Sequence, residues 1–280
     1  MYSQFRPWGH LDIEPVPFGG RDNQTFRLGD DMLIRLPRAE RYAFQVDKEQ
    51  FWLPRLAPHL PLPIPEPLAV GKPDCGYPWK WSIYRWIPGD IAAFERIDDM
   101  GEFAGALRDF LLALYRIDTT DGPAAGPQNF YRGGQLLIYD EETRNALKSL
   151  EGRIDSSAVI RIWEQSLASR WERPPVWVHG DLSPGNLLVA DGKLSAVIDF
   201  GSCGVGDPAC DLAIAWTFLR GRSREIFRSI LRYDLDEAAW SRGRGWTLWK
   251  VLITLAAPVV TDQIVVERAW MTLHELLQDQ

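Results

Sequence analysis

The chain has 280 residues, of which 46% are apolar and 25% charged, a balance that excludes a disordered protein and allows a large core or two lobes. Its formal charge of −7 argues against a dedicated nucleic-acid binder, which would carry a basic face. The start has no signal-peptide layout, and the uncharged run from Val251 to Thr261 is too short for a bilayer and contains Pro258, so no membrane partner and a cytoplasmic location are expected.

The first part of the chain reads as short strands. Val16-Pro17-Phe18 leads through the turn Gly19-Gly20-Arg21-Asp22-Asn23 into Gln24 to Leu28, and Gly29-Asp30-Asp31 turns into Met32 to Leu36. A glycine pair between strands lets backbone N–H groups approach a phosphate without a Cβ in the way, so Gly19, Gly20 and Asn23 are candidate nucleotide contacts. From Tyr42 to Leu56 the pattern is helical, with Val46, Leu53 and Leu56 on one face and Glu49 among them. A carboxylate on a buried stripe needs a cation, and Arg35 is the natural partner, since Ile34 and Leu36 on its strand point the other way.

The proline-rich stretches Pro58 to Pro67 and Pro73 to Pro78 imply extended pieces. Trp79 to Trp86 reads as a strand ended by Ile87-Pro88-Gly89-Asp90. This is the expected connector between lobes 1–88 and 89–280, where the backbone of Arg85 and Ile87 is placed to read a purine edge. After it the pattern is helical. Met100, Phe103, Leu107, Leu111 and Leu114 mark one helix, and Val159, Ile160, Trp163 and Leu167, capped by Asp155 or Ser156, mark another. Val266, Ala269, Trp270, Leu273 and Leu277 mark a third. Asp140-Glu141-Glu142 is an acidic helix start that would attract a cationic acceptor.

Between these helices lies the most informative stretch. Val176-Trp177-Val178 enters His179-Gly180-Asp181-Leu182-Ser183-Pro184-Gly185-Asn186, and the turn Asp191-Gly192 folds two apolar runs into a hairpin that returns Asp199-Phe200-Gly201 beside it. An Asp five residues before an Asn, with a second Asp after the next strand, supplies the oxygen ligands that magnesium accepts alongside phosphate and water. Protein kinases use the order His-x-Asp-x-x-x-x-Asn and then Asp-Phe-Gly for phosphoryl transfer, usually with Arg at the position of Gly180, which points away from protein substrates here. His179 is expected to brace the loop by hydrogen bonding. Past it, Asp207 before Pro208 is a candidate helix cap, and Asp211 is placed to accept backbone N–H bonds from the loop. Cys75, Cys203 and Cys210 match no zinc spacing and are expected reduced and structural.

On His179-Gly180-Asp181-Leu182 with Asn186, Ile198-Asp199-Phe200-Gly201, and Gly206-Asp207-Pro208-Ala209 with Asp211-Leu212-Ala213, the chain resembles the aminoglycoside phosphotransferase family of kinase-like small-molecule phosphotransferases. The resemblance runs from about Phe18 to the C-terminal helices. It implies an α+β, bilobal protein-kinase-like fold, with a five-stranded small lobe bearing one helix and a mainly helical large lobe. It further implies Mg2+ with ATP or GTP as donor and a small-molecule hydroxyl as acceptor, aminoglycoside antibiotics being one class. By that likeness Asp181 is the catalytic base, Asn186 and Asp199 hold magnesium, and Arg35 stands where many kinases use Lys. A sugar, amino alcohol or choline-like acceptor fits the same pattern, and a silent pseudokinase is the alternative of a different class.

Overall fold

Short apolar runs broken by Gly-Asp turns build the first part of the molecule. The computed structural model describes residues 3–16, 20, 22–232, 235–258 and 262–278. The strands β1 (Ile13–Pro15), β2 (Asn23–Leu28), β3 (Met32–Pro37), β4 (Pro67–Gly71) and β5 (Trp81–Arg85) form one antiparallel sheet in the order β1-β2-β3-β5-β4. Alternation along the strands sends Leu28, Met32, Ile34, Trp81 and Ile83 to one face, where they form a small buried cluster. Leu33 and Arg35 face the other way, toward helix α1 (Glu40–Leu56). The expected helical stripe is the buried face of α1: Tyr42, Gln45, Val46, Glu49, Leu53 and Leu56. Leu53 and Leu56 belong to the main core of the molecule, so α1 is packed into the second part as well as against the sheet.

The second part is mainly helical. It contains α2 (Met100–Tyr115), α3 (Asp140–Ser149), α4 (Ser156–Leu167), α5 (Ile214–Thr217), α6 (Gly221–Arg228), α7 (Ala238–Leu255) and α8 (Gln263–Gln278). The three stripes read from the sequence correspond to α2, α4 and α8. Asp99 caps α2 by accepting from the backbone N–H of Gly101 and Glu102, and Asp155 caps α4 by accepting from Ala158. Ile160 departs from expectation and is exposed, with Ile162 buried in its place.

Helix α7 has no counterpart in the sequence reading. It is apolar nearly all round, so it shows no stripe, and it carries Gly243 and Gly245, which disfavour a helix. Those glycines permit contact: a Cβ on Gly243 would lie 2.7 Å from the Leu212 side chain, and one on Gly245 would lie 2.4 Å from that of Leu136.

Two small β elements carry the polar motifs. Strand β6 (Asp90–Ile91) pairs with β8 (Leu187–Ala190), which pairs with β9 (Lys193–Val197) through the expected hairpin. Asp191 and Gly192 both have positive φ there, as a two-residue turn between antiparallel strands requires. Strand β7 (Val176–Val178) pairs antiparallel with β10 (Gly204–Gly206). The His179–Asn186 loop leaves β7, and Asp199 lies between β9 and β10. Among the described residues no helix is long and apolar enough to cross a membrane.

Candidate active site

The loop after β7 is held by buried polar contacts. Asp211, fully buried, accepts from the backbone N–H of His179 through Oδ2 at 2.9 Å and from that of Gly180 through Oδ1 at 2.7 Å. Burial pushes its pKa up, against the lowering effect of His179 and these two amides. The His179 ring is also fully buried, with Nε2 2.9 Å from the Ile198 carbonyl. Its Nδ1 lies 3.2 Å from the Asp181 N–H, which donates to it. His179 thus ties the Asp181 backbone to the carbonyl just before Asp199. Gly180 itself has φ +84°, and a Cβ there would lie 2.5 Å from the Ser202 carbonyl oxygen, so no other residue fits.

These contacts bring three predicted residues together. Asn186 Nδ2 donates to the Asp181 carbonyl at 2.7 Å and lies 3.5 Å from Asp181 Oδ2. The Ile198 N–H donates to the Asn186 carbonyl at 2.9 Å, which sets Asp199 next to the loop. Asp199 has φ +65°, a left-handed conformation that Asp tolerates better than most residues.

Arg35 joins Asp199 to the sheet side. Its Nη2 donates to Asp199 Oδ1 at 2.8 Å, and its Nη1 lies 3.5 Å from Glu49 Oε1. Partial burial would raise the pKa of Asp199, but the Arg35 guanidinium outweighs it and holds the carboxyl below its usual value. Glu49 is buried, and burial pushes its pKa up despite Arg35. Its Oε2 accepts from the Tyr84 hydroxyl, and its Oε1 has no hydrogen-bond partner.

Four residues of this region were not singled out from sequence. Lys48, next to Glu49 on α1, donates to the carbonyls of Gly201 at 2.6 Å and Cys203 at 3.0 Å, and so fastens the helix to the turn after Asp199. Gln45, one turn earlier, packs where a Cβ on Gly201 would fall. Asp22 is near enough to Asp199 and Asp181 for their charges, after burial, to raise its pKa. Tyr84 holds Glu49. Helical spacing from Glu49 was a signal for Gln45; nothing local marked the others.

The remaining predicted positions are more scattered. Gly19 lies outside the described residues. Gly20 has φ +72° and open space before it, and Asn23 is buried at the start of β2. In the connector, the Arg85 N–H donates to the Glu66 carbonyl and the Trp86 N–H to that of Asp31. Alternation along an extended chain therefore turns the Arg85 carbonyl and the Ile87 N–H to the side away from β3. In the acidic segment, Asp140 accepts from the Trp163 indole N–H at 2.7 Å and Glu142 from that of Trp249 at 2.7 Å. Two of its three carboxylates therefore act as structural acceptors. Asp207 caps the turn after β10 and pairs with Arg242 at 2.8 Å, beside a cavity of about 280 Å³ that includes Ser166 and Trp171 and lies away from Asp181.

The donors fit a magnesium ion that shares its ligands with phosphate. Asn186 uses its amide nitrogen on Asp181, which leaves Oδ1, and Asp199 keeps Oδ2 beyond Arg35. Among the described residues no group of three or more His, Cys, Asp or Glu is arranged to hold a metal alone. One carboxylate and one amide are what magnesium uses when phosphate and water complete its shell.

Known proteins resemble this chain in sequence and in fold. Residues 12–246 match the phosphotransferase enzyme family, APH. An aminoglycoside 3'-phosphotransferase of Salmonella typhimurium is 29% identical over 164 residues, covering 56% of this chain and 59% of the relative. The match thus spans well under two thirds of that relative. Among solved structures, the GDP and kanamycin complex of APH(2")-IIia superposes with a TM-score of 0.77 at 18% identity, over 100% of this chain and 97% of the other. The macrolide 2'-phosphotransferase MphH of Brachybacterium faecium does so with a TM-score of 0.60 at 22% identity, over 95% and 92%. At these identities the likeness establishes the α+β, bilobal kinase-like fold.

Proposed function

Because the chain belongs to the phosphotransferase enzyme family, we propose that it transfers the terminal phosphoryl group of ATP or GTP to a hydroxyl of a small molecule. The observation that carries this reading is the convergence of Asp181, Asn186 and Asp199 with Arg35 within one hydrogen-bonded site. A silent scaffold has no need of all four. In this reading residues 1–88 and 89–280 are two lobes, and the nucleotide lies between them. The Arg85 carbonyl and Ile87 N–H face its base, and Gly19, Gly20 and Asn23 its phosphates. Arg35, fixed by Glu49, supplies a permanent positive charge at the phosphates. Asn186 and Asp199 would hold Mg2+, which when bound neutralises phosphate charge. Asp181, its backbone pinned by His179 and Asn186, accepts the proton of the attacking hydroxyl or aligns that oxygen. Most of the acceleration then comes from positioning and electrostatics.

Aminoglycosides head the acceptor classes to test, because the similar proteins include an aminoglycoside 3'-phosphotransferase and a kanamycin complex. That acceptor would make the chain an antibiotic-resistance enzyme. The cytoplasm is the compartment this reading implies, since it supplies nucleoside triphosphate. The test is a nucleotide-consumption screen with magnesium against aminoglycosides, macrolides, sugars and amino alcohols. Turnover with at least one hydroxyl compound, absent when the hydroxyl is replaced by hydrogen, is the expected result. No consumption above the solvent background with ATP or GTP across the panel would refute it.

A further inference from the structure

Arg132 is a buried charged side chain that makes no ion pair among the described residues. It is 7% exposed, and its Nε is buried without a hydrogen-bond partner. Among the described residues no carboxylate lies within ion-pair distance of it. The carboxylates nearby are engaged elsewhere: Asp211 on the His179 and Gly180 amides, Glu142 on the Trp249 indole. The guanidinium sits instead over the rings of Trp246 and Trp249, at 5.1 and 4.8 Å from their centroids, and the Trp249 ring is stacked on Tyr139 at 4.0 Å. Aromatic faces hold a guanidinium flat but do not neutralise it. A cation in this state is costly unless an anion completes it.

Its place in the fold says what that anion belongs to. A Cβ on Gly180 would lie 2.9 Å from the Arg132 Cβ, so Arg132 packs on the catalytic loop one residue before Asp181. The residues that present it, Phe130 and Tyr131, both have φ +53°, a left-handed conformation that bulky side chains seldom adopt. We propose that Arg132, backed by Trp246 and Trp249, is a subsite for an oxyanion, carboxylate or phosphate ester, carried by the hydroxyl acceptor. The proposal rests on the phosphoryl-transfer reading and narrows its acceptor: a molecule with an anionic group is preferred over a pure polycation.

Sulfate is the probe. The full chain, saturated with MgADP to occupy the nucleotide site, is titrated calorimetrically with sodium sulfate against sodium chloride of equal ionic strength. Wild type should bind saturably, and Arg132→Gln should bind about tenfold or more weakly, the loss expected for one charge-assisted contact. Arg132→Lys, which keeps the charge, should fall between them. In turnover, sulfate should compete with the acceptor and leave the KM of the nucleotide unchanged, a readout that stands even if the glutamine variant does not fold. Hydroxy acids should be better acceptors than their matched amides, and Arg132→Gln should erase that preference through KM. Equal sulfate binding in wild type and Arg132→Gln, or none in either, overturns the subsite. A preference for hydroxy acids over their matched amides that survives Arg132→Gln would overturn it too, while leaving phosphoryl transfer standing.

Discussion

The two walls that face each other across Asp181 and Asp199 are built on opposite plans. On the loop wall, both oxygens of Asp211, both ring nitrogens of His179 and the amide nitrogen of Asn186 have partners. On the sheet wall, Glu49 Oε1 is buried without a hydrogen bond and has only the Arg35 guanidinium at 3.5 Å. There Glu49 and Asp199 share a single guanidinium, and Asp22 adds a further negative charge beside Asp199. Buried polar groups are normally satisfied, and here one guanidinium is divided between two carboxylates, so this wall is the less fully satisfied of the two. The loop is held by its own hydrogen bonds; in the proposed reading, phosphate and its cation finish the sheet wall.

If that division holds, substitutions on the two walls should differ in kind as well as in size. The largest effect is expected from Asp181→Asn, which should lower kcat by about 10²–10⁴-fold, the usual cost of removing a positioned base. Nucleotide affinity should be unchanged, and wild-type turnover in this variant would remove Asp181 from the chemistry. Asp199→Ala should show the reverse pattern. Calorimetry with MgATP and MgGTP should find binding weakened by about tenfold or more, as for other losses at a metal site. Unaltered affinity for both nucleotides would move the metal site elsewhere.

The next contrast is one of stability. Asp211→Asn leaves one loop amide without its charged acceptor, and denaturant unfolding should show a loss of about 1.5–3 kcal/mol. Equal stability would mean that the loop is braced by other contacts. The smallest effect is expected at the junction of the walls. Lys48→Met frees the Gly201 and Cys203 carbonyls, and unfolding should register only about 1 kcal/mol. The informative readout there is the magnesium concentration for half-maximal rate, which should rise and be partly restored by Lys48→Arg. A purely structural lysine would leave it in place.

How far the site could be read in advance depends on the range of the forces that built it. The Asp191-Gly192 hairpin and the caps Asp155 and Asp207 rest on turn and capping chemistry within a few residues, as the structure has them. The α1 stripe with Glu49 inside it was readable for the same reason. Helix α7 was not, because a helix buried over most of its surface has too little polar face to set its period, and its glycines argue against it until Leu212 and Leu136 are seen packed on them. The acidic start of α3 suggested attraction for a cation, and two of its carboxylates turned out to be holding indole N–H groups.

What the amino-acid order determined by itself was the local grammar: strands and turns in the first part, helices after the connector, and the loop–hairpin–turn that carries Asp181, Asn186 and Asp199. Only the tertiary structure decided which charges meet. Arg35 reaches Asp199 across 164 residues of sequence, Lys48 reaches Cys203 across 155, and Arg132 is left to two tryptophans while Asp211 serves the loop. Periodicity and turn propensity act between neighbours along the chain, so sequence displays them directly. The partner of a buried charge is set by which donors and acceptors lose water together, and that is known only once the chain has closed on itself.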